Sequence, residues 1–454
     1  MSDRARPERK ALGLWMCIAL VMGNIIGSGV FLLPAALAPY GWNALPGWGV
    51  TIGGAVCLAM VIARLARAMP EAGGPHGFVL AAFGELPAFL VMWSYWISIW
   101  VANAAIAVAA VSYLSRFAPG LAADPSAAAG LAIGLLWVFT GINILGTRTA
   151  GATQVAATAL KILPLIAVVF VAAIVVGRGE TGAVPPLAAG DISAGGIAAT
   201  AALTLWAMLG LESAAVPSAK VEDPARTIPR ATLIGTIGAG VIYLFACTAV
   251  SLLLPAAEAA RSAAPFADFV GRYANEGWAD WVALFAAIGA LGALNGWVLL
   301  QGEVPLTLAR AGVFPRWFGV TNAAGTPLRA LIAGSALTTT LIAANYSRSM
   351  TELFTFMALI ATVATLFLYV ACAAAALHLT ASGRLMASPG LVALTITGLV
   401  YALWAFYGAG FEASAWGFVL FATGLPVWAA IQRINRLIVR PNRAAEHASA
   451  ALPE

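Results

Sequence analysis

Charge is what this chain has least of. Asp, Glu, Lys and Arg make up 9% of its 454 residues, where a soluble domain carries roughly a quarter. Histidine occurs only as His76, His378 and His447, with no His-Glu-x-x-His pair, and no serine or thiol nucleophile elbow is present. Hydrolytic and metal-assisted chemistry therefore lack their residues, and neither an enzyme nor a bound metal or cofactor is expected. Cys17, Cys57, Cys247 and Cys372 all lie inside apolar runs without metal-type spacing, which makes them small core residues. The net charge of +5 is not gathered on a soluble face, so a nucleic-acid partner is excluded. No repeated filter sequence suggests a channel.

What is abundant is apolar length. Hydrophobic residues reach 61%, and a spanning helix needs about 20 predominantly apolar residues. Runs of that kind predict twelve spans, at about 12–39, 44–68, 86–117, 127–146, 153–177, 194–218, 231–254, 278–309, 327–345, 352–380, 388–410 and 413–437. The fold class is all-α integral membrane, and the partner of most of the surface is the lipid bilayer. The first run follows a basic start without a small-residue cleavage site, so it reads as a retained helix rather than a signal peptide. Of the 24 lysines and arginines, Arg116, Arg178, Arg261, Arg272 and Arg348 fall in one set of loops and Lys161 inside a span. The rest fall in the loops that share a side with both termini. Basic loops stay cytoplasmic, so both termini are expected there.

Two spans are interrupted alike. The first contains Gly23-Asn24-Ile25-Ile26-Gly27-Ser28-Gly29-Val30, and the sixth Trp206-Ala207-Met208-Leu209-Gly210-Leu211-Glu212-Ser213. Paired interruptions at corresponding places of two halves point to a transport site between inverted repeats. The domains expected are a cytoplasmic tail (1–11), a first repeat of spans 1–5 (12–177), a second of spans 6–10 (194–381), spans 11–12 (388–437) and a cytoplasmic tail (438–454). Unwound backbone in lipid is tolerated only beside a cavity or ligand. At Gly27–Gly29 freed N–H groups favour a carboxylate, and at Gly210–Glu212 freed carbonyls accept from an ammonium. A zwitterionic small molecule, an α-amino acid, fits both ends.

The stretch Gly23 to Pro34, Trp206 to Ser213 and the Gly296-Trp297 pair resemble the amino acid–polyamine–organocation superfamily. The likeness is nearest to the arginine/agmatine antiporters of its basic amino acid/polyamine antiporter branch. It extends through Pro70-Glu71-Ala72-Gly73-Gly74 and Ala324-Gly325-Thr326-Pro327. The resemblance implies a 5+5 inverted repeat of LeuT type with helices 1 and 6 broken, in a bacterial-type inner membrane. It leaves monomer and homodimer open. It implies that Asn24, Ile25, Gly27, Ser28 and Gly29 line the carboxylate end, and that Trp206 and Leu209 hold the ammonium end. Ser98 and Asn103 on span three and Ala361 on span ten are placed at the substrate, and Trp297 is the ring on which a guanidinium stacks. Tyr95, Glu212 and Tyr369 match gate residues, expected on the outer side of the site.

The residues themselves agree in part. Tyr95, Ile99, Asn103 and Ile106 recur at three-to-four spacing and share a face of span three. An amide there faces either the pathway or a neighbouring helix. Of the fifteen tryptophans, Trp297 stands out by falling mid-span beside Asn295 and Gly296. Glu212, an intramembrane carboxylate, reads as a gate or proton-sensing coupling residue. Lys161 departs from the arginine/agmatine antiporters and resembles the span-five lysine of sodium-independent and proton-coupled carriers. Its readings are a coupling residue and a fixed cation on span-one carbonyls. Ala361 departs from a substrate-contacting serine, with Thr362 adjacent. The expected function is sodium-independent exchange of an arginine-like cationic amino acid for its amine product. The alternative is a proton-coupled or exchanging permease for neutral amino acids.

Overall fold

The first apolar run folds as two helices rather than one. The computed structural model describes residues 13–146, 160–211 and 223–434. Helix α1 (Leu14–Ile25) and α2 (Leu33–Leu37) are separated by a 3₁₀ turn at Ser28–Val30. Then come α3 (Ala44–Ala68), α4 (Pro75–Phe83), α5 (Glu85–Leu114), α6 (Gly120–Ala123), α7 (Pro125–Leu145) and α8 (Ile162–Gly177). After these follow α9 (Ala194–Ala207), α10 (Pro224–Leu253), α11 (Ala256–Arg261), α12 (Pro265–Tyr273), α13 (Glu276–Arg310) and α14 (Leu328–Ala344). The last helices are α15 (Met350–Ala381), α16 (Pro389–Gly408) and α17 (Gly410–Ala422). Among the described residues no strand occurs.

Eight helical stretches of the described residues are long and apolar enough to cross a membrane, and α1, α8, α9 and α14 are shorter apolar helices. Together they account for twelve spans. Burial sorts them: 94% of the apolar window of α5 is inside the protein, against 17% for the stretch Gly410–Ile434. Helix α5 is therefore the central post, and the last span faces lipid.

Two elements differ from expectation. Helix α10 begins at Pro224, seven residues before the apolar run, because a proline at the first helical position is already in helical geometry. Helix α4 was not expected; Gly84, at φ 84°, ends it and turns the chain into α5. Part of the predicted fifth span, 153–159, lies outside the described residues.

Packing between helices follows an exchange rule. Helix α1 packs on α10 as α9 packs on α3; α5 packs on α7 as α13 on α14; and α5 packs on α14 as α13 on α7. Swapping the first five spans for the second five maps each contact onto another, as two inverted repeats require.

Helices α16 and α17 lie outside this scheme. Helix α16 packs on α3 and α9 where glycines remove the obstacle. A Cβ added at Gly408 would sit 2.0 Å from the carbonyl oxygen of Ala198 in α9. We expect Gly408→Ala to lower stability by about 1–3 kcal/mol through overpacking, seen as an earlier thermal melt in detergent. Gly53→Ala, which meets nothing within 4 Å, should leave the melt unchanged.

Candidate functional site

Helix α1 stops where its backbone turns away at Ile26, whose ψ of 80° leaves the helical region. The last bonds are Ile26 N–H to Met22 O (2.6 Å) and Gly27 N–H to Ile25 O (2.7 Å). One detail departs from expectation: the Gly27 amide is occupied, so the free amides at the carboxylate end fall to Ser28 and Gly29, which open the next turn.

The carbonyls freed by the break cannot find water in an apolar surround and need donors. Other spans supply them. Lys161 Nζ donates to Gly23 O (2.8 Å), Tyr243 Oη on α10 to Ile25 O (2.9 Å) and Tyr113 Oη on α5 to Phe31 O (2.8 Å). Both tyrosines are fully buried, and Lys161 is 3% exposed. Lys161 thus takes up the contact with a span-one carbonyl that was one of its two readings. Neither tyrosine was singled out from sequence, where each is one polar tip among apolar neighbours.

The second interruption starts at Ala207. Met208 to Gly210 form a turn, with Gly210 at φ 99°. This brings Trp206 over the first break: a Cβ at Gly29 would lie 2.4 Å from Trp206 Nε1, so only glycine lets the indole rest there.

Between the two breaks is a cavity of about 20 Å³ lined by Ile25, Gly27, Gly29, Ile106, Trp206, Ala207, Leu209 and Trp297. That is room for about one water, so the site is closed in this conformation. A vestibule of about 820 Å³ opens nearby, with Ala35, Leu121, Arg261, Arg348, Thr355 and Phe411 on its walls. Helix α1 enters from the far side and α17 leaves toward it, so the vestibule opens opposite Gly13 and Ile434, the first and last described residues. Phe354, next to vestibule-lining Thr355, meets Trp206 edge to face at 6.3 Å and 82°. Trp206 lines the cavity, and Phe354 adjoins a residue of the vestibule wall.

Six of the residues expected at the substrate are thus brought together: Ile25, Gly27, Gly29, Trp206, Leu209 and Trp297. The side chains of Asn24 and Ser28, and all of Glu212, lie outside the described residues. Ser98 donates to Tyr95 O (2.7 Å) on its own helix. Ala361 is buried, and the adjacent Thr362 donates to Ala358 O (2.8 Å) on its own helix. Asn103 is not on the cavity wall but one turn from Ile106, bonded to Gln301 Oε1 (2.8 Å). Gln301 was overlooked although it follows Trp297 by four residues, on the same face of α13.

The gate tyrosines need a correction. Helix α5 runs toward the vestibule, and Tyr95 precedes cavity-lining Ile106 by about 16 Å of helix. Helix α15 runs the opposite way, and Tyr369 follows vestibule-lining Thr355 by about four turns. Both therefore stand on the side of Gly13 and Ile434, away from the vestibule, so gate tyrosines on the outer side and cytoplasmic termini do not hold together.

A multi-pass helical bundle closed around a cavity between two broken helices is the architecture of a membrane permease. The chain belongs to the amino acid permease family, whose model matches residues 12–431. It is 36% identical over 342 residues to a cadaverine/lysine antiporter of Escherichia coli K12, covering 73% of this chain and 74% of that one. It is 27% identical over 424 residues to the putrescine transporter PotE of the same strain, covering 92% and 95%. The Haemophilus influenzae PotE is 28% identical over 417 residues, covering 90% and 94%.

The donors on the broken helix can be tested singly. Tyr243→Phe takes the side-chain donor from Ile25 O and leaves that carbonyl the Gly27 amide alone, which should cost about 0.5–1.5 kcal/mol in a detergent melt. Tyr346→Phe, at a residue 52% exposed, is the control and should melt like the wild type.

Proposed function

We propose that this chain exchanges a cationic amino acid for a decarboxylated amine across a bacterial inner membrane, without sodium, with both termini cytoplasmic. The observation that carries the reading is the cavity wall, on which first-break backbone at Ile25, Gly27 and Gly29 meets Trp206 and Trp297. Turn-opening amides suit a carboxylate, and an aromatic face suits a cation. The relatives are named for lysine, cadaverine and putrescine, so lysine and short diamines come before arginine and agmatine as the substrate pair. The repeats 12–177 and 194–381 would supply the two faces of the site. Binding requires the cavity to enlarge, and the Trp206–Phe354 contact is the element that would move for entry from the vestibule.

The direct test is counterflow in liposomes. Labelled lysine trapped inside should leave when lysine, cadaverine or putrescine is present outside, with sodium or without it. Efflux driven by leucine and not by amines would replace this reading with the neutral permease. Trp297→Leu should weaken lysine by about 2 kcal/mol more than a neutral amino acid of similar size, or roughly thirtyfold. Equal losses would remove the ring from cation recognition.

Lys161, held on Gly23 O, acts in this proposal as a fixed cation that anchors α1 and occupies the place a metal cation would need. A second cation about 4 Å away would be opposed by about 4 kcal/mol at an effective dielectric of 20. We expect Lys161→Ala to depress exchange by a similar factor across pH 5 to 8. Loss of pH dependence with exchange retained would instead make the lysine a proton carrier.

A further inference from the structure

We infer that Gln301 is a positioning residue for substrate selection: it fixes the Asn103 amide so that its carbonyl oxygen is the acceptor left for the distal cationic group of the substrate. The inference rests on the cationic reading of the site and names a residue that gives it selectivity.

The direction of every bond in this network follows from two groups that can only accept. Gln301 reaches Leu331 O (3.0 Å) and Ser335 Oγ (2.9 Å) on α14 through its Nε2. A main-chain carbonyl has no proton to give, so the nitrogen of the Gln301 amide must face Leu331. Its oxygen then faces Asn103, and Asn103 must present Nδ2 to it, at 2.8 Å. Thr140 on α7 donates to Leu136 O (2.7 Å), so the hydroxyl proton of Ser335 goes to Thr140, at 2.7 Å. Flipping Asn103 would set oxygen against oxygen. Flipping Gln301 as well would set its oxygen against Leu331 O. One arrangement satisfies the chain from α7 to α5.

Gln301 is also held in place by its surroundings. Trp96 Nε1 donates to its main-chain carbonyl (3.1 Å). On α14 a Cβ at Gly334 would lie 2.3 Å from Gln301 Cγ, so the side chain lies directly on that glycine. Gln301 is fully buried.

The network ends on one unsatisfied atom. Asn103 is fully buried, and its Oδ1 has no hydrogen-bond partner among the described residues. A buried carbonyl without a donor is costly, so the atom favours any ligand that brings one. Its location suits that role. Asn103 and Ile106 share a face of α5, and Gln301 and Trp297 share a face of α13. The two helices pack antiparallel, so Asn103 and Gln301 form the layer next to the cavity-lining Ile106 and Trp297, on the side of Gly13 and Ile434. A cation lying on Trp297 has this oxygen as the next acceptor along its path. An alkyl end of the same length brings no proton to it.

The test compares lysine with norleucine, which keeps the length and lacks the ammonium. In liposomes, exchange of labelled lysine and its inhibition by norleucine are measured for the wild type, Gln301→Met, Asn103→Leu and the double variant. Gln301→Met should raise KM for lysine about tenfold, change kcat less than about twofold, and leave norleucine inhibition where it was. The double variant should be no worse for lysine than Asn103→Leu alone, since Gln301 acts through Asn103. Additive losses, or equal losses for lysine and norleucine, would overturn the proposal and leave Gln301 a packing residue. Ser335→Ala removes one bond to Gln301 with little change in volume and covers the case in which Gln301→Met does not fold. It should shift lysine KM the same way by about threefold, and an unchanged KM would overturn the proposal too. A wild type that does not prefer lysine to norleucine fails in its own arm, before any variant, and rejects the cationic reading itself.

Discussion

A helix that unwinds inside a membrane must find hydrogen-bond donors for its own carbonyls, and the structure is organised around that need. Lys161, Tyr113 and Tyr243 come from three different spans to Gly23, Ile25 and Phe31. Each donor fixes where its span lies relative to the break. Gly289 on α13 completes the arrangement: a Cβ there would stand 2.7 Å from Cβ of Lys161, so only glycine lets α13 close over the lysine. The opening between half-helices that makes a binding site therefore depends on side chains far away in sequence.

That dependence explains what could be read from the sequence. Spans are legible because apolar length is a local property, and the paired breaks at Gly27 and Gly210 are legible because glycine and a polar neighbour interrupt that length. The donors are not, because Tyr113 and Tyr243 become meaningful only when α5 and α10 are packed against α1. Gln301 was within reach, because a polar residue one turn from Trp297 shares its face. The side of Tyr95 and Tyr369 was also legible, since the direction of their spans follows from the span count. The error came from taking their side from the resemblance without following the chain.

Closure is the second constraint. A cavity with room for one water lies beside a vestibule of about 820 Å³, and the Trp206 ring on the cavity wall meets Phe354 edge to face. Trp206 can lie there only because Gly29 has no side chain. The same glycine lines the cavity and seats the ring that covers it.

The hydrogen bonds divide the bundle into two groups. Within one, Thr51 on α3 bonds Thr204 and Ala201 O on α9, and Tyr243 on α10 bonds α1. Within the other, Asn103, Gln301, Ser335 and Thr140 link α5, α13, α14 and α7, Thr338 adds a bond to Trp100 O, and Asn143 bonds Asn295. Between the groups Tyr113 to Phe31 O stands out, and Lys161 holds α1 from α8. The cavity wall is split the same way: Ile25, Gly27, Gly29, Trp206, Ala207 and Leu209 belong to the first group, Ile106 and Trp297 to the second. Buried polar networks resist shear because each broken bond leaves two unsatisfied groups. Among the hydrogen bonds of the described residues named above, few would break if one group slid past the other, and such a movement would change the cavity between them. In the proposed exchange the second group would carry the Asn103 acceptor and the Trp297 ring together, so the surface proposed for the distal end of a substrate would keep its shape while the surface proposed for the backbone end moves.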